Sequence, residues 1–162
     1  MLVDFNTLSD NSRIWIFQSA LPLDETAGIQ LLQSAHWFIN DWTAHQQNLT
    51  ASAEIRDRFF LVVAVDESLA GASGCSVDKL FRFVQSFERE NGIRLTERNQ
   101  VVIHDSGTRA LPLDTVIEQL KSGLISTGTT IYDVTVDSLG AYRSRFIAPL
   151  SQTWLSRYLV EV

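Results

Sequence analysis

The chain carries a single cysteine, and its setting raises the first chemical possibility. Cys75 stands in "VDESLAGASGCSVDKL", Val65 to Leu80, after two acids, within a run of small residues and just ahead of a helical pattern. The first amides of a helix lack internal partners and favour negative charge, so a thiol placed there ionises more easily than a free one. Small neighbours also let a ligand come close to the backbone. Ser73, Gly74, Cys75, Ser76 and Asp78 therefore make a candidate ligand-binding loop, with Ser73 and Ser76 supplying hydroxyls. A structural reading competes with it. The loop is small because it packs tightly, Ser73 or Ser76 caps the helix, and Cys75 acts as a small hydrophobe. Asp78, one turn into the helix, and Asp66 and Glu67 before it all oppose a thiolate.

A cysteine nucleophile commonly needs a base, and His45 is the residue to consider. The sequence expects it at the end of a long helix, at the opposite end of the fold from Cys75, where it would cap its own last turn with favourable positive charge. His36 and His45 cannot share a metal from one regular helix, because nine positions at about 100° per residue put them on opposite sides. His104 ends a short strand beside Asp105, which could orient an imidazole. One cysteine and no His-x-x-x-His spacing argue against a structural zinc. No metal or cofactor is expected, and no residue is assigned as catalytic.

These groups must be positioned by the elements around them. "RIWIFQ", Arg13 to Gln18, reads as a strand with apolar side chains on both faces, hence inside a sheet. Asp24 to Gln47 reads as a long helix, capped by Asp24, with Leu31, Leu32, Ala35, Phe38, Ile39 and Trp42 on one face. Trp37 lies on the opposite side, either as a lone surface aromatic or as a contact for another subunit. "TASAEIR" alternates as a half-buried strand, with Thr50, Ser52, Glu54 and Arg56 on its polar face. "FFLVVAV" reads as a buried central strand, joined to it by a tight hairpin near Arg56–Arg58 that lacks a glycine. A second helix from Cys75 buries Val77, Leu80, Phe81, Val84 and Phe87 and stops at Gly92, and "QVVIH", Gln100 to His104, is another strand.

The order is β-α-β-β-α-β. The expected fold is therefore α+β, a ferredoxin-like split β-α-β-β-α-β sheet with both helices on one face and a C-terminal α/β appendage. Residues 1–105 would form the core and residues 106–162 a helix-strand-helix subdomain docked on it. In that second part, "DSGTRALPLDTVIEQLKSGL" reads as a Gly/Pro-punctuated link and a short helix, about Leu113 to Gly123, and "TTIYDVTVD" as an alternating strand. Trp154, Leu155 and Tyr158 then pack inward from a closing helix.

Composition narrows the classes of function. At 162 residues with 45% hydrophobic and 20% charged content, the chain can bury a real core without disulfides. A net charge of −6 and no basic cluster argue against nucleic acid and anionic membranes as partners. The start "MLVDFNTLSDNSR" lacks the pattern of a secretory signal, and the longest apolar run, Phe59 to Val65, is strand length. With one cysteine, these features point to a cytoplasmic protein without membrane insertion.

Several blocks together resemble an uncharacterised family of small proteins from Bacteroidetes: "SRIWIFQ", "WTAH", "ASGCSVD", "ALPL" and "TWLSRYL". The resemblance runs across nearly the whole chain. It implies a glycine where Gln46 stands and a serine where Lys79 stands. Members of that family often carry the label "ABC transporter ATPase". A phosphate-cradling loop needs G-x-x-x-x-G-K-[ST], and neither "GASGCSVDK" nor "SGLISTGTT" supplies it. The expectation is thus a non-catalytic domain that binds a small ligand or a protein partner, with Trp15, Trp37 and Phe83 as the aromatics to test and oligomerisation possible through Trp37. The alternative is an enzyme or redox sensor built on Cys75, and the third is nucleotide hydrolysis.

Overall fold

A computed structural model describes residues 1–161. The chain is mixed α+β, with antiparallel sheets. β1 (Arg13–Gln18) leads into α1 (Glu25–Asn40). A small hairpin of β2 (Thr43–Ala44) and β3 (Gln47–Asn48) precedes β4 (Thr50–Arg56) and β5 (Phe60–Asp66). α2 (Gly74–Asn91) follows, then β6 (Gln100–His104), β7 (Thr108–Pro112) and α3 (Leu113–Lys121). β8 (Thr130–Tyr132), α4 (Leu139–Arg145), β9 (Ile147–Pro149) and two 3-10 segments, Leu150–Gln152 and Trp154–Glu161, complete it.

The strands form two main sheets, ordered β1-β5-β4 and β7-β6-β8-β9. Alternation along the strands shows how they stack. Phe17, Leu61, Val63 and Val65 face α1 and α2, whereas Ile14, Phe60, Val62 and Ala64 face the second sheet. In β6, Val102 joins that middle core, while Val101 and Ile103 turn outward to α3 and the C-terminal 3-10 helix. The result is four layers: helices, sheet, sheet, helices. Six of the seven residues of β5 are buried because the strand is covered on both faces.

The expected order of elements up to His104 is present, and both helices cover one face of the first sheet. The fourth strand parts from the split arrangement. β6 pairs with β7 and β8 and takes no place beside β1, so the change of sheet falls between α2 and β6. β1 is an edge strand, and its two apolar faces reflect burial between layers, not a central position. β5 runs antiparallel to β1, and each is followed by a helix. The helices therefore run antiparallel, so the end of α1 meets the start of α2. That reverses the expectation that these ends lie apart.

α1 is shorter than its apolar periodicity suggests. It stops at Asn40, and Asp41 N–H donates to the carbonyls of Ile39 and Phe38. Trp42, 1% exposed, is then drawn under the first turn of α2. His45 consequently lies in no helix. It and Gln46 adopt left-handed φ values of 49° and 66° in the turn between β2 and β3, so His45 caps nothing. Gln46 occupies a backbone position that suits glycine.

The second half departs further. "TRALP" is a strand and not a link: it pairs along β6 from Gln100↔Pro112 to His104↔Thr108. β8 ends at Tyr132, because the Asp133 carboxylate accepts from the N–H and hydroxyl of Thr135 and folds the chain over. Tyr132, Val134 and Val136 still reach the same core, as their alternation suggests. Trp154, Leu155 and Tyr158 pack inward as expected, from a 3-10 helix. No helix among the described residues is long and apolar enough to cross a membrane.

Candidate functional site

The cysteine loop forms where the sequence places it. β5 ends at Asp66, and α2 begins at Gly74. Ser73 is the N-cap: its Oγ accepts from Ser76 N–H at 3.3 Å, and Ser76 Oγ donates back to the Ser73 carbonyl at 2.8 Å. Ser76 is fully buried. Cys75 is exposed on the first turn, as are Gly74 and Asp78. The nearby acids bind their own loop, with Asp66 accepting from Ser68 N–H and Glu67 from Ala72 N–H, both at 2.9 Å. Among the described residues, no hydrogen bond joins Cys75 to His45, and none of the five main cavities is lined by residues 73–78. The structure brings the five candidate residues together on the cap and first turn of α2.

A different set of polar groups gathers where the two sheets meet. Glu54, half-buried, and Arg56, still exposed, sit on the polar face of β4, which lines a cleft against α4. Together with Phe5, Asn6, Tyr142, Arg143 and Ser144 they line a cleft of about 280 Å³. Tyr142, on α4, donates its hydroxyl to the Glu54 carboxylate. Burial, and then the Glu54 charge, push the Tyr142 phenol above its ordinary range. Arg143 donates to Asp10 at 2.6 Å. Arg56 Nε donates to Asp57 Oδ2 at 3.0 Å. Burial works against the Arg56 cation, but Tyr142, Asp57 and Glu54 outweigh it, so its proton is held more tightly than usual.

The hairpin turn at Asp57 connects this cleft to a second cluster. Asp57 and Arg58 both take left-handed φ values, 48° and 63°, in a turn without glycine. Such residues are costly unless their surroundings fix them. Here Leu23 N–H donates to the Arg58 carbonyl and Arg58 Nε donates to the Leu23 carbonyl, each at 2.7 Å. The Asp57 carboxylate accepts the Tyr132 hydroxyl at 2.7 Å. Tyr132 is 2% exposed and sits among Phe60, Phe146 and the His104 ring. Its phenol is pushed up to about 12 by burial, against the Thr108 hydroxyl and with the help of Asp57. His104 Nδ1 lies 3.0 Å from the same hydroxyl. Asp105, expected to orient His104, instead binds Arg109 at 3.0 Å, which holds its carboxyl below the usual range.

Comparison with protein-family models, curated proteins and solved structures finds no match.

Phe146 packs against both tyrosines, at 5.2 Å from Tyr132 and 4.7 Å from Tyr142, and so sets the positions of the two hydroxyls together. The sequence pattern places Glu54 and Arg56 on the polar face of a half-buried strand and does not single out Asp57, Tyr142 or Arg143. The available signal was the clean alternation of "TASAEIR". Of the aromatics singled out, Trp37 is 78% exposed, whereas Phe83 stacks on Phe38 and Trp15 packs edge-on to Trp42. Among the described residues no three His, Cys, Asp or Glu side chains are grouped to hold a metal.

Proposed function

We propose that the protein is a non-catalytic binding domain, and that the cleft between β4 and α4 receives a small polar ligand carrying both signs of charge. One observation carries the reading. The cleft presents a carboxylate, Glu54, beside two guanidinium groups, Arg56 and Arg143, and each of the three is held by a partner within the chain. Groups fixed in this way meet a ligand with little loss of side-chain freedom, which favours binding. The volume of about 280 Å³ lies at the lower edge for ligand sites, so the occupant is small.

The alternative, an enzyme or redox sensor on Cys75, has the thiol's exposure in its favour, while residues 73–78 line none of the five cavities described above. A partner or second copy could use the exposed indole of Trp37. The lone cysteine and acidic balance support a cytoplasmic setting. Amide chemical-shift titration of the labelled chain with glutamate and lysine, each of which carries both signs of charge, tests the cleft. The expected result is a response to at least one of them at Glu54, Arg56, Tyr142 and Ser144, lost in Arg56→Gln. Shifts confined to the Cys75 loop, or none at millimolar concentration, would overturn the reading.

A further inference from the structure

We propose that His104 is a surface proton-acceptor site, held in one tautomer by Tyr132 and Asp57 so that its Nε2 lone pair is free for a ligand that donates a proton or hydrogen bond, such as a hydroxyl, thiol or ammonium group. This goes beyond the cleft reading and does not depend on it.

The argument starts from one atom that cannot donate. Asp57 Oδ2 lies 2.7 Å from the Tyr132 hydroxyl and 3.0 Å from Arg56 Nε. An ionised carboxylate only accepts, and Asp57 forms an ion pair with the Arg56 guanidinium. The single phenolic proton of Tyr132 is therefore committed to Asp57. The Tyr132 oxygen keeps two lone pairs, and two groups approach it: His104 Nδ1 at 3.0 Å and Thr108 Oγ1 at 3.3 Å. With the phenolic proton already used, an attractive contact from His104 requires a proton on Nδ1. The polarity of the chain Arg56–Asp57–Tyr132–His104 is thus set from its acidic centre.

A neutral imidazole holds one proton, so a proton on Nδ1 leaves Nε2 as an acceptor. Among the described residues Nε2 of His104 has no hydrogen-bond partner, and the residue is exposed at the β6–β7 hairpin. The other histidines differ. His36 Nε2 lies 3.2 Å from the Ala53 carbonyl, so there the proton belongs on Nε2. His45 lies exposed in the turn after β2. A carboxylate that orients an imidazole and frees its far nitrogen is the arrangement of a general base, here with a tyrosine interposed. Tyr132 and Asp57 are positioning residues in this arrangement. Arg109 is tied to Asp105, so no described cation is bonded at Nε2 itself.

The test is long-range proton–nitrogen correlation of the imidazoles in the full-length labelled protein, at a pH where they are neutral. The wild-type spectrum decides the proposal without any variant: His104 should be predominantly Nδ1–H, and His36 Nε2–H. A predominantly Nε2–H His104 would overturn it. Tyr132→Phe keeps the ring in its aromatic cluster and removes the hydroxyl, so the His104 tautomer should shift toward a mixture; an unchanged ratio in the folded variant would also overturn it. Diethyl pyrocarbonate gives an independent readout. Nε2 attacks one acyl carbon, the bond to the carbonate oxygen breaks, and ethanol and carbon dioxide leave with the displaced proton. His104 should acylate several-fold faster than His36, and protection of His104 relative to His36 would count against a free Nε2.

Discussion

Trp42 Nε1 donates a hydrogen bond of 2.8 Å to the backbone carbonyl of Ser76, joining the end of α1 to the first turn of α2. The indole is 1% exposed and packs against Trp15 and Phe38. This contact ends the first helix early and fixes the cap that carries Cys75. Replacing Trp42 by Phe keeps an aromatic ring but loses the donor and part of the buried volume. The expected cost is about 2–3 kcal/mol, combining a lost buried hydrogen bond with an incompletely filled site. Urea unfolding should show a lower midpoint at unchanged slope, and a change below about 0.5 kcal/mol would remove this contact as the anchor of α2.

The Glu54–Tyr142 contact ties β4 of the first sheet to α4. Hydrogen bonds to charged groups contribute about 1.5–3 kcal/mol, and a half-buried carboxylate stripped of its donor also keeps a desolvation cost. Tyr142→Phe should therefore destabilise by about 2 kcal/mol. A double-mutant cycle with Glu54→Gln isolates the pair. Coupling above about 1 kcal/mol is expected, and additive effects would mean that the two side chains are neighbours without a shared bond.

Much of this structure is legible in the residues, and the remainder fails for identifiable reasons. β1, β4, β5, β6 and α2 follow from periodicity and end signals, because their patterns are long or strongly apolar. The end of α1 does not, since Trp42 continues the helical face while its true partner lies 34 residues away at Ser76. β7 was hidden because "TRALP" has few apolar residues, and only pairing with β6 makes it a strand. The site was hidden for a related reason. Alternation marks a polar face of β4 but cannot say whether that face meets water or a second sheet, and here it meets Tyr142. The Ser73 cap, in contrast, was readable from local chemistry alone.

Gln46 offers a test of backbone strain. At φ 66° it lies in the left-handed region, where a non-glycine residue costs about 1–2 kcal/mol. It is exposed in the turn between β2 and β3. Gln46→Gly relieves the strain but gives the unfolded chain more freedom, which returns about 0.5–1 kcal/mol. The expected net effect is a gain of about 0.5–1 kcal/mol, read as a higher urea midpoint. A loss of stability would show that the Gln46 side chain contributes more than its backbone costs. Asp57 and Arg58 share the left-handed conformation but should not tolerate glycine as well, because Asp57 holds Tyr132 and Arg58 holds Leu23.

Alkaline pH tests the buried phenols. Tyr132 is pushed from an ordinary value of 10.0 up to about 12, chiefly by burial. A phenol whose folded value is raised binds its proton more tightly in the native state than in the unfolded chain. Its contribution to stability is thus complete below about pH 10 and is lost as pH rises toward about 12. Tyr142 shifts in the same direction, so both hydroxyls weaken the fold over the alkaline range. Near-ultraviolet phenolate absorbance and circular dichroism, followed together, should show these tyrosines ionising only as the native signal is lost. Tyr132→Phe should remove its share of the pH dependence while lowering stability at neutral pH, where Asp57 and His104 lose their common partner. If all the phenolate signal developed near pH 10 in a protein that kept its native spectrum, both hydroxyls would have to be open to water, and the aromatic cluster around Phe146 could not hold them as described.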